Sequence, residues 1–282
     1  MAQGKIDWLA SYPKSGNTWM RMLLANYFNE TDQPHDINEP GVTNGIASSR
    51  ARFDEMLGMD SSDLTADEIK ALQPEVFTQM TAFSDQRHWI KVHDAQMTLA
   101  DGRWLFPPGV SGVVIYLIRN PLDVAVSLAF HDGHQDFDKA VTKLCNNQTT
   151  LAGLSSIQLP QIMGGWGDHV ISWVDQDKIP VMIVRYEDLL IDTEAKLSEV
   201  LAFARPDIEV DLEQVSHAAK ETTFDKLTAA EEDGGFREKP QRADRFFRKG
   251  EAGDWKNHLA SGQVARISDA YGEVMNRFGY SA

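Results

Sequence analysis

Short apolar runs alternate with helical patterns along the chain. Four runs have strand character: Ile6–Ala10, Trp89–His93, Val113–Ile118 and Val181–Arg185. The runs at 113–118 and 181–185 are β-branched and nearly continuous, as in strands covered on both faces. Helix signals lie between the runs. Thr65-Ala66-Asp67-Glu68 has capping-box spacing, Pro121 sits where a first helical turn accepts proline, and Asp192-Thr193-Glu194-Ala195 reads as another helix start. Alternating strands and helices predict an α/β fold: a central parallel sheet flanked by helices, with ligands beyond the carboxyl ends of its strands. No internal repeat, low-complexity tract or Pro/Ser-rich linker appears, so residues 1–282 are expected to form one domain. Segments 30–80, 131–168 and 228–245 are less regular and are expected to form surface helices and loops over a site.

The first apolar run leads straight into Tyr12-Pro13-Lys14-Ser15-Gly16-Asn17-Thr18-Trp19, and then into the helical stretch Trp19–Leu24. A strand, a tight polar loop and a helix start form an anion site, because N–H groups at the helix N-terminus and the helix dipole favour negative charge. Gly16 allows close backbone approach, Lys14 adds a point charge, and Ser15 and Thr18 add hydroxyl donors. The lysine precedes the glycine, unlike in the nucleoside-triphosphate loop G-x-x-x-x-G-K-[ST]. The run at 113–118 delivers Arg119 to a strand end, and the helix opened by Pro121 carries Ser127. A guanidinium and a hydroxyl so placed hold a phosphate; the plainer alternative is an Arg119–Asp123 ion pair. In Phe246-Phe247-Arg248-Lys249-Gly250, two cations before a glycine suit a phosphate gripped by side chains and backbone together. Alternation through Trp89–His93 puts Lys91 and His93 on one strand face, where the pair can serve an electrophile and a base; the plainer alternative is a satisfied surface histidine.

Composition narrows the classes. Apolar content of 42% and charged content of 24% are those of an ordinary globular protein. The single cysteine, Cys145, excludes an intrachain disulfide and fits a reducing, cytoplasmic setting. No basic segment followed by a long apolar stretch opens the chain, and the aliphatic run Val113–Ile118 is too short to cross a bilayer, so no membrane partner is expected. The net charge of −15 argues against nucleic acid. Yet Arg237–Lys249 holds six basic and two acidic residues, a local excess that suits a small multivalent anion.

These segments occur in the order found in the cytosolic-type sulfotransferases, and the chain resembles a bacterial-like member of that family. The first loop is similar to the family's 5′-phosphosulfate loop Y-P-K-S-G-T-T-W, with Asn17 in place of a Thr. Arg119-Asn-Pro-Leu-Asp-Val-Ala-Val-Ser127 resembles its 3′-phosphate motif. Arg248-Lys-Gly-Glu-Ala-Gly-Asp-Trp-Lys-Asn257 keeps every fixed letter of R-K-G-x-x-G-D-W-K-N. The resemblance implies 3′-phosphoadenosine 5′-phosphosulfate (PAPS) as co-substrate and the 3′,5′-bisphosphate PAP as product. It places Lys14, Ser15, Gly16, Asn17 and Thr18 at the 5′ end, and Arg119, Ser127, Arg248, Lys249 and Gly250 at the 3′-phosphate. It sets Trp19 and Phe224 on the adenine faces, and Tyr186 and Thr222 at its edge. Lys91-Val92-His93 resembles the family's K-T-H, which implies His93 as the catalytic base, with Lys14 and Lys91 assisting.

The expected reaction is sulfuryl transfer to a hydroxyl of a small-molecule acceptor, without a metal. His131-Asp132-Gly133-His134 lacks third and fourth ligands at metal spacing. The alternatives are a catalytically silent PAP-binding protein, a kinase-like ATP-dependent phosphotransferase, and an enzyme of the same fold that uses sulfation to expel water from an alcohol. Phe83, Phe130, Trp166 and Phe247 are candidate linings for an apolar acceptor pocket, and Trp255 is expected to pack rather than touch ligand. The family's K-x-x-x-T-V-x-x-x-E dimerisation stretch is missing after the signature, which leaves the oligomeric state and the acceptor's identity open.

Overall fold

The computed structural model describes residues 4–29, 31, 33–39, 41–133, 135–151 and 157–281. Its strands are β1 (Lys5–Ser11), β2 (Thr43–Ile46), β3 (Arg87–Val92), β4 (Ser111–Ile118), β5 (Thr150–Leu151), β6 (Gln161–Ile162) and β7 (Val181–Arg185). Its helices are α1 (Asn17–Tyr27), α2 (Arg50–Leu57), α3 (Ala66–Ala82), α4 (Pro121–His131), α5 (Phe137–Leu144), α6 (Trp166–Val174), α7 (Tyr186–Ile191), α8 (Thr193–Ala204), α9 (Leu212–Glu221), α10 (Phe224–Gly234) and α11 (Ser261–Arg277). The expected α/β class is the observed one: a five-stranded parallel sheet of order β2-β3-β1-β4-β7, flanked by helices. The chain divides into two compact units, one of Met1–Tyr12, Thr43–Tyr116 and Asn147–Ile183, the other of Pro13–Val42, Leu117–Asn146 and Val184–Ala282.

The first unit carries the sheet, and the last residues of β4 and β7 lead the chain into the second. β1 is buried along almost its whole length and pairs in parallel register with β3, Leu9 opposite Lys91. Trp8, Phe77, Phe106 and Trp173 form an aromatic core, with ring centroids 4.8 to 5.5 Å apart. One polar group enters β1. The Asp7 carboxylate is fully buried, and accepts from Arg87 Nε at 2.8 Å, from a second guanidinium nitrogen of Arg87, and from the Val113 N–H at 3.0 Å. A charge there is tolerated because both its oxygens are paired.

Each strand run predicted from the pattern forms a strand. β3 starts earlier than expected and stops one residue short of His93, while β2 was not foreseen. Thr43-Asn44-Gly45-Ile46 has no apolar alternation; it pairs with β3 at the sheet edge through an irregular register, so its partner imposes its conformation. The capping box at Thr65 is present, with Glu68 accepting from the Thr65 N–H at 2.8 Å. Pro121 opens α4, and Asp192 caps α8.

In the second unit α1 packs on α9 and α4 on α5. Met22, Ile37, Leu227, Phe236 and Phe247 make a small core, with Trp19, Phe224 and Phe246 packed against it. Among the described residues no helix is long and apolar enough to cross a membrane.

Replacing Asp7 by Ala strands the Arg87 guanidinium and the Val113 N–H. The expected cost is about 3 kcal/mol, read as a lower urea midpoint with unchanged slope.

Candidate functional site

The second unit gathers the residues expected to bind nucleotide. Its loop has a strained backbone: Lys14 takes φ +71°, where a side chain is rarely tolerated, and Gly16 takes φ +99°. A Cβ on Gly16 would stand 2.8 Å from Tyr186 Cδ2, so glycine is required there by space as well as by φ. Gly16 supplies no side-chain cap to α1, whose first residues Asn17 and Thr18 are buried. Ser15 is 1% exposed, and its Oγ has no hydrogen-bond partner among the described residues. A buried hydroxyl without a partner is costly unless something binds it.

Arg119 joins this loop to the R-K-G signature. One terminal nitrogen donates to the Lys14 carbonyl at 3.2 Å and the other to the Glu251 carbonyl at 2.9 Å. The guanidinium lies over the Tyr186 ring, 4.3 Å from its centre, and its Nε is buried without a partner among the described residues. The Arg119–Asp123 ion pair offered by spacing is not what Asp123 makes. Its carboxylate accepts instead from the Gly253 and Trp255 N–H groups at 2.7 and 2.9 Å, pinning the signature to α4. Asn120 caps α4 through Leu122 N–H, and its own N–H donates to Glu187 at 3.0 Å. Ser127 stands half-buried nearly two turns along α4.

Arg248 and Lys249 share Asp254, Lys249 at 2.7 Å. Asn257 donates to the same carboxylate at 3.2 Å, and His258 Nε2 lies 3.2 Å from it. Burial pulls the Asp254 carboxyl upward, but the hydrogen bonds from Lys249, Arg248 and Asn257 outweigh this and hold it well below the usual carboxylate range. Arg248 also lies 4.2 Å over the Phe130 ring. Gly250 takes φ +65°, and a Cβ there would collide with Phe224.

The adenine candidates form one cluster. Trp19 meets Tyr186 edge-on at 5.8 Å and donates its indole N–H to the Thr222 carbonyl at 3.0 Å. Thr222 is fully buried, with its hydroxyl given to the Ala218 carbonyl. Its backbone, not its side chain, therefore faces Trp19. Burial raises the Tyr186 phenol, with Arg119 opposing.

Lys91 and His93 belong to the first unit. Both are half-buried, while Ile90 and Val92 between them are fully buried, as alternation predicts. His93 Nδ1 lies 2.8 Å from the Ser11 carbonyl and 3.3 Å from its hydroxyl. A carbonyl only accepts, so Nδ1 carries the proton and Nε2 the basic lone pair. His169, which the sequence reading missed, braces the same residue: its Nε2 donates to the His93 carbonyl at 3.1 Å, and its Nδ1 accepts from the Tyr116 hydroxyl at 2.7 Å. Burial lowers the His169 pKa to about 4. Nothing in Trp166-Gly167-Asp168-His169 flags this role, which depends on tertiary contacts.

Other expectations change. Phe83 stands 84% exposed and Trp166 is wholly buried, so neither walls a pocket; Phe247 is part of the second unit's core and Phe130 supports Arg248. Trp255 is half-buried, and its backbone N–H bonds Asp123. His134 lies outside the described residues. Among the described residues no group of three or more His, Cys, Asp or Glu is arranged to hold a metal; Asp132 pairs with Lys143 at 3.3 Å and His131 faces Lys14.

Burial favours the neutral form of the His169 ring. The unfolded chain protonates this histidine near 6.5 and the folded chain only near 4. The associated stability is therefore full above 6.5 and lost as pH falls toward 4, by about 3 kcal/mol in all. Urea denaturation across this range should show the slope, and His169→Gln should flatten it.

Residues 7–279, drawn from both units, match the family described as the Sulfotransferase domain. Sulfotransferase 1E1 of Mus musculus is 24% identical over 274 residues, covering 95% of this chain and 82% of its own length. Among solved structures, mouse sulfotransferase SULT7A1 complexed with PAP aligns over 96% of this chain and 85% of its own, with TM-score 0.61 and 20% identity. Retinol dehydratase in complex with androsterone and inactive cofactor PAP aligns over 98% and 82%, with TM-score 0.61 and 17% identity. At such identities the structural likeness speaks for the fold; the domain match speaks for descent, and this chain belongs to the sulfotransferase domain family.

Proposed function

We propose that the chain moves a sulfuryl group from PAPS to the hydroxyl of a small-molecule acceptor, and that residues 1–282 act together as one sulfotransferase domain. The observation that carries this reading is Arg119, whose side chain spans the Lys14 and Glu251 carbonyls and so ties two separate anion motifs into one site. One motif suits a 5′ phosphosulfate and the other a 3′-phosphate. A nucleoside triphosphate has no use for the second, and the intact pair of Lys91 and His93 argues against a silent binder.

Two structural features support the nucleotide reading. The unpartnered Ser15 hydroxyl and Arg119 Nε are buried donors in want of acceptors. The bare backbone at Gly16 and Gly250 leaves no room for a Cβ beside aromatic rings. Lys14, Ser15, Gly16, Asn17 and Thr18 would hold the 5′ end. Arg119, Ser127, Arg248, Lys249 and Gly250 would hold the 3′-phosphate. Trp19, Tyr186, Phe224 and the Thr222 backbone would hold the base. PAPS supplies the transferable group, and no metal is invoked. A small acceptor is in keeping with the androsterone held by the retinol dehydratase structure, and the lone cysteine with work in the cytoplasm.

The chain's own task is positioning and electrostatics. His93, with its proton fixed on Nδ1 by Ser11, takes the acceptor's hydroxyl proton on Nε2 as the oxygen attacks sulfur in line. Lys14 stabilises the charge growing on the bridging oxygen of the departing phosphate. Lys91 steadies the sulfuryl oxygens.

Purified protein given sulfur-labelled PAPS and a small-molecule extract should form a new labelled species. His93→Ala should slow its formation by roughly 10²–10⁴-fold while PAP binding persists. Near-normal turnover in that variant would remove His93 from the mechanism, and failure of the wild-type chain to bind PAP would overturn the nucleotide reading.

A further inference from the structure

Lys14 is held by more than its own loop. Its Nζ lies 3.2 Å from His131 Nδ1 and 4.1 Å from the centre of the Phe246 ring. The two rings meet edge-on, with centroids 6.0 Å apart. An ammonium has donors and no acceptor, so His131 Nδ1 must be the accepting, unprotonated nitrogen, with the ring proton on Nε2. Both clamping groups are themselves anchored in the second unit. His131 is the last residue of α4, the helix that carries Ser127 and follows Arg119. The Phe246 N–H donates to Glu231 on α10 at 2.7 Å, and the Phe247 N–H to the same carboxylate at 2.9 Å.

A ring face attracts an ammonium but sets little direction, whereas a lone pair sets both distance and direction. The long lysine stem would otherwise sample many rotamers. We propose that His131 is a positioning residue for Lys14: its Nδ1 accepts from the ammonium and, with the Phe246 face, fixes where that charge is presented. The inference rests on the sulfuryl-transfer reading, in which Lys14 acts on the bridging oxygen of PAPS. His131 acts through Lys14 and takes no proton in the reaction. The plainer account is that His131 packs on Phe246 as any aromatic ring would, and a phenylalanine would then serve equally well.

That difference sets the test. His131→Phe keeps a ring against Phe246 and removes the acceptor; His131→Asn keeps an oxygen acceptor close to the place of Nδ1. Initial rates of label transfer from PAPS into the extract, and Kd for PAP, are measured for each. His131→Phe should lower turnover by about 10- to 100-fold with Kd for PAP within about twofold of wild type. His131→Asn should return turnover to within about threefold of wild type. A phenylalanine variant as fast as wild type, or an asparagine variant as slow as phenylalanine, would overturn the proposal.

Nitrogen NMR of the ligand-free chain reads the contact without any turnover. His131 Nδ1 should be unprotonated, and its resonance should move in Lys14→Met. A protonated Nδ1, or one indifferent to Lys14→Met, would overturn the proposal as well. Failure of the underlying reading looks different: the wild-type chain then neither binds PAP nor consumes PAPS, while the NMR still decides the contact.

Discussion

The arrangement of the second unit depends on the Arg119 guanidinium. One planar group stacks on Tyr186 and donates in two directions, to the carbonyl of Lys14 and to that of Glu251. A lysine could not do this, because a point charge on a flexible stem lacks the rigid fork. Lys14 and Glu251 lie 237 residues apart in the chain. This contact sets their register. Tyr186 serves both sides, since its ring lies under Arg119 and also fills the space that Gly16 leaves empty.

Charge neutralisation in the unit follows a second rule. Asp254 is nearly buried, yet it is surrounded by Arg248, Lys249, Asn257 and His258. Without that carboxylate, the two cations would repel one another and splay into solvent. With it they are already gathered, so on the proposed reading an arriving phosphate meets an ordered pair and less side-chain entropy is lost on binding. Asp123 does the same for backbone, holding Gly253 and Trp255 by their N–H groups. Each of these acids satisfies several donors at once.

Local signals were legible in the chain, and pairwise ones were not. Periodicity marks β1, β3, β4 and β7 because buried parallel strands must be apolar, and caps mark α3, α4 and α8 because a helix start leaves N–H groups to satisfy. β2 stays hidden, since an edge strand takes its conformation from its neighbour. The 13–18 loop and the place of Arg119 at a strand end are readable from residue type and position. Partners chosen in three dimensions are not: Asp123 bonds backbone rather than Arg119, Thr222 turns its hydroxyl inward, and His169 reaches His93 from a helix 76 residues later. Phe83 and Trp166 show the same limit, because an aromatic letter alone does not say whether the ring lies in solvent, core or cleft.

α10 gives the second unit a mechanical property. Its first residue, Phe224, abuts Gly250, and two turns on its Glu231 grips the amides of Phe246 and Phe247 that lead into Arg248. One rigid rod thus carries the proposed wall for the base and the root of the arm that reaches the 3′-phosphate. Neither can swing away while the other stays. On the proposed reading the nucleotide has no half-released state in which its base is loose and its phosphate still gripped, and product departure becomes one concerted opening rather than a sequence of separate escapes.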